Sequence, residues 1–152
     1  MMVDIQTVSI AIASASVTLA AIYYMWQIRH QNKVRQTELV FRLYSFFTTE
    51  EFQKELYTLM TDTEIKDYNT FRTKYAVNAP PTGLFFAEVG LLLRRKLADM
   101  GLISELFGPL AMGLWEKMKP IAEDARKQLN SPGFGSDFEY LYDEMKKREQ
   151  RQ

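Results

Sequence analysis

Apolar positions are distributed differently along two parts of the chain. No charged residue, proline or glycine interrupts the apolar and small residues at positions 5–28. Beyond position 48, apolar residues recur every three or four positions, which is typical of helices with one buried face. No stretch alternates apolar and polar residues over the length of a strand. The pattern predicts an all-α protein with a single apolar N-terminal helix, a stalk and a compact multi-helix domain.

The uncharged run has three possible explanations: a buried helix, a cleaved export signal or a membrane anchor. About 20 helical residues, rising 1.5 Å each, cross a hydrocarbon core roughly 30 Å thick. A buried helix rarely ends in an aromatic cluster followed at once by basic residues. An export signal carries positive charge before its apolar run, whereas only Asp4 precedes this one. We therefore expect residues 1–28 to form a transmembrane anchor.

Aromatic and basic residues at the end of the run predict a membrane interface. Aromatic rings favour the headgroup zone, and basic side chains favour the cytoplasmic side. The predicted interface consists of Tyr23, Tyr24, Trp26, Arg29, Lys33 and Arg35. Every lysine and arginine lies after Ile28. The expected localisation is therefore the cell membrane, with a single pass, the N-terminus outside and the C-terminal domain cytoplasmic.

Small residues form two stripes on the predicted span. One stripe consists of Ser9, Ala13, Ser16 and Ala20, and a second, on nearly the opposite face, of Ala11, Ala15 and Thr18. Small side chains let helix backbones approach closely in lipid. The first stripe predicts contact with other transmembrane helices, in a homo-oligomer or a larger membrane complex. The alternative is that alanine and serine are simply common in membrane helices.

The helix is predicted to continue beyond the membrane, because residues 27–47 contain neither proline nor glycine. Residues 29–38 are polar nearly all round and predict a basic helical stalk. The segment LVFRLYSFF, residues 39–47, is densely apolar and is expected to be buried. We therefore place the cytoplasmic helical domain at residues 39–152.

Capping and breaking residues divide this domain into short helices. Thr48 with Glu51, and Ser136 with Glu139, predict two capping boxes. Paired prolines predict a break at residues 78–83. The later boundaries are predicted from Gly101 as a left-handed helix stop, Pro109 in a first helical turn and Pro120 as a kink or division.

Glu88 is the polar residue that fits its surroundings least. It lies in the apolar run of residues 84–93, which is too short for a second span and predicts a core helix. A lone buried carboxylate is costly. We expect Glu88 to be buried and paired with a basic residue, with Arg126 and Arg72 as the candidates. A catalytic carboxylate with a raised pKa is the less favoured alternative.

Composition excludes several classes of function. The 19 basic and 19 acidic residues balance, which argues against a nucleic-acid partner, and the chain contains no cysteine. The single histidine, His30, lies at the predicted membrane edge, so no hydrolase triad is predicted. Residues 62–67 lack the glycine and glutamate of a calcium loop. We predict no catalytic residue, no cofactor and no metal site.

The order of these features resembles a family of small prokaryotic membrane-anchored proteins that have an N-terminal membrane helix, a basic stalk and a helical domain of unknown function. The resemblance rests on IYYMWQIRHQNKVRQTELV, residues 22–40, and on FAEVGLLLRRKLADMGLISELFGPLAMGLWEKMKPIAEDAR, residues 86–126. It implies the same architecture and no established activity. Within the domain it points to the surroundings of Glu88 and to Arg126.

Three functions are consistent with these features. The first is a membrane-tethered interaction module, which predicts an exposed apolar groove on the domain. The second is an accessory subunit of a membrane protein complex, which predicts that the span itself contacts other subunits. The third is a membrane-surface enzyme or signalling effector that uses the Glu88 region. We favour the first two over any enzyme.

Overall fold

The protein is helical throughout the residues that the computed structural model describes, 4–75 and 81–151. These residues form six helices: α1 (Ile5–Phe47), α2 (Glu50–Thr61), α3 (Tyr68–Tyr75), α4 (Pro81–Arg94), α5 (Met100–Gln128) and α6 (Ser136–Glu149). The predicted all-α fold class is confirmed. The chain divides into two compact units, Met1–Gln36 and Thr37–Gln152.

The first unit consists of the N-terminal part of α1. Its apolar side chains are exposed, and α1 is the one helix within the described ranges that is long and apolar enough to cross a membrane. Its polar side chains bond within the helix, since the hydroxyl groups of Ser9, Ser16 and Thr18 donate to backbone carbonyls four residues earlier at 2.8–2.9 Å. Such bonds satisfy hydroxyl groups without water.

The second unit is built around an aromatic core. Its rings come from four helices and lie with centroids 5.0–6.4 Å apart: Phe47, Phe52, Phe85, Phe86 and Phe107. Phe107 is fully buried, and α4 presents Phe85, Phe86, Val89 and Leu93 to the same core. The expectation that residues 84–93 form a core helix is confirmed, because four of its apolar side chains point inward.

Helices α4 and α6 are in close contact at Gly90. A Cβ atom at this position would lie 1.9 Å from the backbone oxygen of Asp137. Only glycine permits this approach, so Gly90 brings α4 against the first turn of α6. The contact is reinforced by Arg94, which forms an ion pair with Asp137 at 3.0 Å and donates to the Ser136 backbone oxygen at 3.0 Å.

Both predicted capping boxes are wrong in detail. The N-cap of α2 is Thr49 rather than Thr48, and its side chain accepts the amide hydrogen of Phe52 at 3.4 Å. The N-cap of α6 is Gly135, with a left-handed φ of 71° and no side-chain cap bond, so Ser136 is already helical. In place of a capping bond, the Glu139 carboxylate accepts a hydrogen bond from Arg126.

Helix α4 ends earlier than predicted. Gly101 lies inside α5, and the left-handed residue is Lys96, with φ 59°. The amide of Lys96 donates to the Leu93 oxygen and that of Leu97 to the Leu92 oxygen, both at 2.9 Å. This pair of bonds is the Schellman termination, here with lysine at the position that glycine usually occupies.

Helix α5 passes through Pro109 and Pro120 without dividing, so the predicted helix start at Pro109 and a division at Pro120 are wrong, while a kink at Pro120 stays a prediction. Each proline lacks an amide hydrogen and leaves the carbonyl four residues earlier without its helical donor. Both prolines lie on the exposed face of α5. Water can reach the freed carbonyl groups there, and the packing of the buried face keeps the helix continuous.

Candidate functional site

An apolar groove lies between the last turns of α1 and helix α4, within the second unit. Its volume is about 420 Å³, and its lining consists of Leu39, Arg42, Leu43, Phe46, Leu84, Phe85 and Glu88. The rings of Phe46 and Phe85 meet across it with centroids 5.8 Å apart. We call this site the α1–α4 groove.

The groove exists because residues 39–47 are apolar on more faces than the core can cover. Val40 and Phe47 point inward and are buried. Phe41 is 57% exposed and Phe46 is 47% exposed, so the expectation that the whole segment is buried is wrong. A helix against one core buries one stripe of its surface. On α4, Leu84 is likewise 64% exposed, and it contributes to the opposite wall.

Glu88 is exposed, which corrects the prediction of a buried carboxylate. The neighbouring positions Ala87 and Val89 turn toward the interior, whereas Glu88 lies on the groove side of α4. An exposed carboxylate remains hydrated and needs no buried partner. Among the described residues, no hydrogen bond or ion pair to the Glu88 side chain is formed.

Arg126 is half-buried and does not pair with Glu88. Its guanidinium donates to the Glu139 carboxylate at 2.6 Å and to the Phe134 backbone oxygen at 2.8 Å, which ties α5 to the loop before α6. The other candidate partner of Glu88, Arg72, is exposed on α3. The predicted pairing of Glu88 with Arg126 or Arg72 is therefore wrong, and Arg126 has a structural role elsewhere.

Arg42 is the cation of the groove. Its guanidinium donates to the Glu38 carboxylate at 2.8 Å, one turn earlier on α1, and both side chains are largely exposed. An exposed pair of this kind contributes little to stability, so Arg42 can exchange its partner at small cost. The groove thus carries one cation on the α1 wall and one anion on the α4 wall.

A second cavity of about 200 Å³ lies deeper in the unit, and Leu84 borders both spaces. Its walls are formed by apolar side chains and two glycines, among them Leu59, Phe71, Trp115, Ile121 and Phe138. Neither space brings together the several polar groups that acid–base or nucleophilic chemistry needs. The described residues also contain no cluster of three possible metal ligands.

The strongest electrostatic perturbation lies at the loop after α2. The Asp62 carboxylate forms an ion pair with Lys74 at 2.7 Å and accepts the Tyr75 hydroxyl at 2.8 Å. The hydrogen bond from Lys74 is the largest cause that lowers the pKa of Asp62 from 3.8 to about 2. Lys117 donates to the backbone oxygens of Met60 and Asp62 at the same helix end. These bonds hold the loop in place.

The predicted membrane residues lie on the first unit. Ser9, Ala13, Ser16 and Ala20 are exposed and share one face of α1. The interface residues are also exposed: Tyr23, Tyr24, Trp26, Arg29, Lys33 and Arg35. Trp26 stacks on His30 with ring centroids 5.7 Å apart. The interface and helix–helix roles of these residues stay predictions.

Comparison with protein-family models, with curated proteins and with solved structures gives no match for this chain. The resemblance to a family of small prokaryotic membrane-anchored proteins therefore stays a prediction that rests on residues 22–40 and 86–126.

Proposed function

We propose that this chain is a single-pass membrane protein whose helical domain docks protein at the membrane surface and has no catalysis of its own. Residues 5–28 cross the cell membrane, with the N-terminus outside and the domain in the cytoplasm. The domain acts as an interaction module or as an accessory subunit of a membrane complex. The α1–α4 groove is its docking surface.

The exposed apolar surface of the first unit is the observation that carries this proposal. Ile5, Ile10 and Val17 are 82%, 67% and 70% exposed, and no charged residue interrupts positions 5–28. Exposing apolar surface to water costs about 25 cal/mol per Å². A helix that is apolar all round needs an apolar environment on every side, which a bilayer supplies. All basic residues follow the span, which favours a cytoplasmic domain.

The composition of the groove supports docking rather than catalysis. Its walls are mainly leucine and phenylalanine, with one charge on each rim, and docking surfaces of proteins combine an apolar centre with a polar rim in the same way. The competing proposal, a membrane-surface enzyme or signalling effector around Glu88, requires further polar groups that converge on this carboxylate. Arg42 is the other charged group of the groove, and Glu38 already binds it.

Alkaline extraction of membranes tests the anchor. The wild-type chain should stay in the membrane pellet. The double variant Ala15→Arg/Leu19→Arg should be released, because each arginine near the centre of a span costs about 2.5–3.5 kcal/mol. The matched control Ala15→Leu/Leu19→Ala keeps the span apolar and should stay in the pellet. Release of the wild-type chain would rule out the anchor.

Two further measurements test the orientation and the docking surface. A reporter fused after Gln152 should be active only on the cytoplasmic side; activity outside would reverse the topology. Proteins that co-purify with the wild-type chain in mild detergent, a differently tagged copy of the chain included, should be lost with Leu84→Glu, in the groove. They should remain with Tyr57→Glu, because Tyr57 is 71% exposed on α2 and does not line the groove.

A further inference from the structure

The α1–α4 groove has an apolar floor that the described part of the chain leaves uncovered. Phe46 is 47% exposed on one wall and Leu84 is 64% exposed on the other. Exposed apolar side chains that are scattered singly are ordinary, whereas several that line one concave surface mark a docking site. The occupant of this groove must therefore supply apolar side chains.

The charges on the two walls make the groove complementary to itself. Arg42 lies one helical turn before Phe46 on α1, and Glu88 lies one turn after Phe85 on α4. Because the rings of Phe46 and Phe85 meet across the groove, the cation and the anion both lie within one turn of the same contact. When such a surface faces a second copy that is rotated by 180°, the cation of each copy lies opposite the anion of the other.

We propose that the occupant of the α1–α4 groove is the same groove of a second copy of this chain. A twofold axis along the groove sets α1 of each copy against α4 of the other. Arg42 of each copy then faces Glu88 of the other copy, and Leu84 lies opposite Phe46 of the other copy, because Phe46 is level with Phe85 along the groove. This inference rests on the proposed function, because it identifies the protein that the membrane-anchored domain docks.

Anchoring in one membrane favours this dimer. Two domains held at one membrane surface meet at a higher effective concentration than two domains free in solution. A small apolar contact with two ion pairs is therefore sufficient for a reversible dimer, whose population rises with the density of the protein in the membrane.

Exchange of the two charges tests the proposal with the full-length chain. Donor-labelled and acceptor-labelled chains are reconstituted together in vesicles of phosphatidylcholine and phosphatidylglycerol, and dimerisation is read as energy transfer during dilution with lipid. Arg42→Glu alone, or Glu88→Arg alone, should weaken dimerisation about tenfold, since like charges meet at two symmetry-related contacts.

A mixture of the two single variants is the decisive experiment. A donor-labelled Arg42→Glu chain and an acceptor-labelled Glu88→Arg chain again present opposite charges to each other at both contacts. Their mixture should restore energy transfer to within about twofold of the wild-type level. The double variant Arg42→Glu/Glu88→Arg should do the same. Restoration requires that the two residues meet between copies, so a loss of folding cannot imitate it.

Three results would overturn the proposal. One is wild-type energy transfer no higher than random proximity in the bilayer predicts. Another is transfer that both single variants leave unchanged, which would assign association to the span. The third is a mixture that stays as weak as each variant alone, which would assign the groove to another protein. Vesicle flotation of the same samples tests membrane anchoring separately, so a failure of the dimer leaves the proposed anchor standing.

Discussion

Similar apolar side chains have opposite surroundings in the two units of this chain. On α1, Val17 and Leu19 are 70% and 68% exposed, whereas on α5 Ile103 and Leu114 are fully buried. The side chains of α5 pack against other helices of the second unit, and those of the first unit do not pack against protein. The apolar surface of the second unit is covered by protein, whereas that of the first unit is left uncovered by the described residues, which is the basis of the proposed membrane anchor.

The polar residues show the same difference. Helix α5 has an exposed charged face that includes Glu105, Glu116, Lys119 and Glu123. The run at residues 5–28 carries no charge on any face. A helix that packs against protein on one side keeps a face for water, whereas a helix in lipid has none. The absence of a charged face, more than apolar content, distinguishes the two helices.

The largest expected effect on stability distinguishes a side chain that is buried by protein from one in the proposed span. Phe107→Ala should lower the free energy of unfolding of the second unit by about 3–5 kcal/mol, because it leaves a cavity against the rings of Phe47 and Phe85. Leu19→Ala, on the first unit, should leave this unfolding unchanged. Near-ultraviolet circular dichroism of the full chain during urea denaturation measures both. Equal destabilisation by the two variants would mean that Leu19 belongs to a protein core.

The packing of α4 on α6 gives the next largest effect. Gly90→Ala should destabilise the second unit by about 1–3 kcal/mol, because the added Cβ meets the Asp137 backbone oxygen and forces the helices apart. Gly83→Ala is the matched control on the same helix, since nothing lies within 4 Å of its added Cβ. This change should stabilise the unit by up to about 1 kcal/mol. Similar melting of the two variants would refute the close contact at Gly90.

The pH dependence of unfolding tests the polar loop after α2. The pKa of Asp62 is lowered from 3.8 to about 2 in the folded chain, so its stabilising effect is present above pH 3.8 and is lost as the pH falls toward 2. Asp62→Asn should be less stable than the wild-type chain at pH 6, and the difference should shrink between pH 4 and pH 2. A difference that stays constant with pH would show that the Asp62 charge is not responsible.

The smallest expected effect concerns Glu88. Because this carboxylate is exposed, Glu88→Ala and Glu88→Gln should each change the free energy of unfolding by no more than about 0.5 kcal/mol. Thermal unfolding in detergent at low protein concentration, where the chain is monomeric, measures this change directly. A loss of several kcal/mol would reveal a buried partner and would restore the interpretation of Glu88 as part of the core.

Much of the fold was predictable because helical periodicity is a local property of the sequence. Helical spacing predicts Phe52, Leu56, Leu59 and Met60 as the inward positions of α2, and the structure buries the first three and half-buries Met60. The stop of α4 was not predictable, because Lys96 adopts a left-handed conformation that local propensity assigns to glycine. The continuity of α5 depends on its prolines facing solvent, which only the tertiary structure determines.

The candidate groove was only partly predictable. The sequence shows that residues 39–47 are apolar, and it does not show which of them the core covers. That choice depends on how α1 and α4 meet, for example at the ring contact of Phe46 with Phe85. The surroundings of Glu88 were mispredicted for the same reason, because one helical position separates the buried Val89 from the exposed carboxylate.

Accessibility of single cysteines to a membrane-impermeant maleimide compares the two units most directly, because the chain contains no cysteine of its own. Ala15→Cys places a thiol in the middle of the proposed span, and Tyr57→Cys places one on the exposed face of α2. In sealed cells neither thiol should react. In broken membranes Tyr57→Cys should react rapidly, while Ala15→Cys should stay protected until detergent dissolves the bilayer. Equal labelling of both thiols in broken membranes would contradict a membrane-spanning first unit.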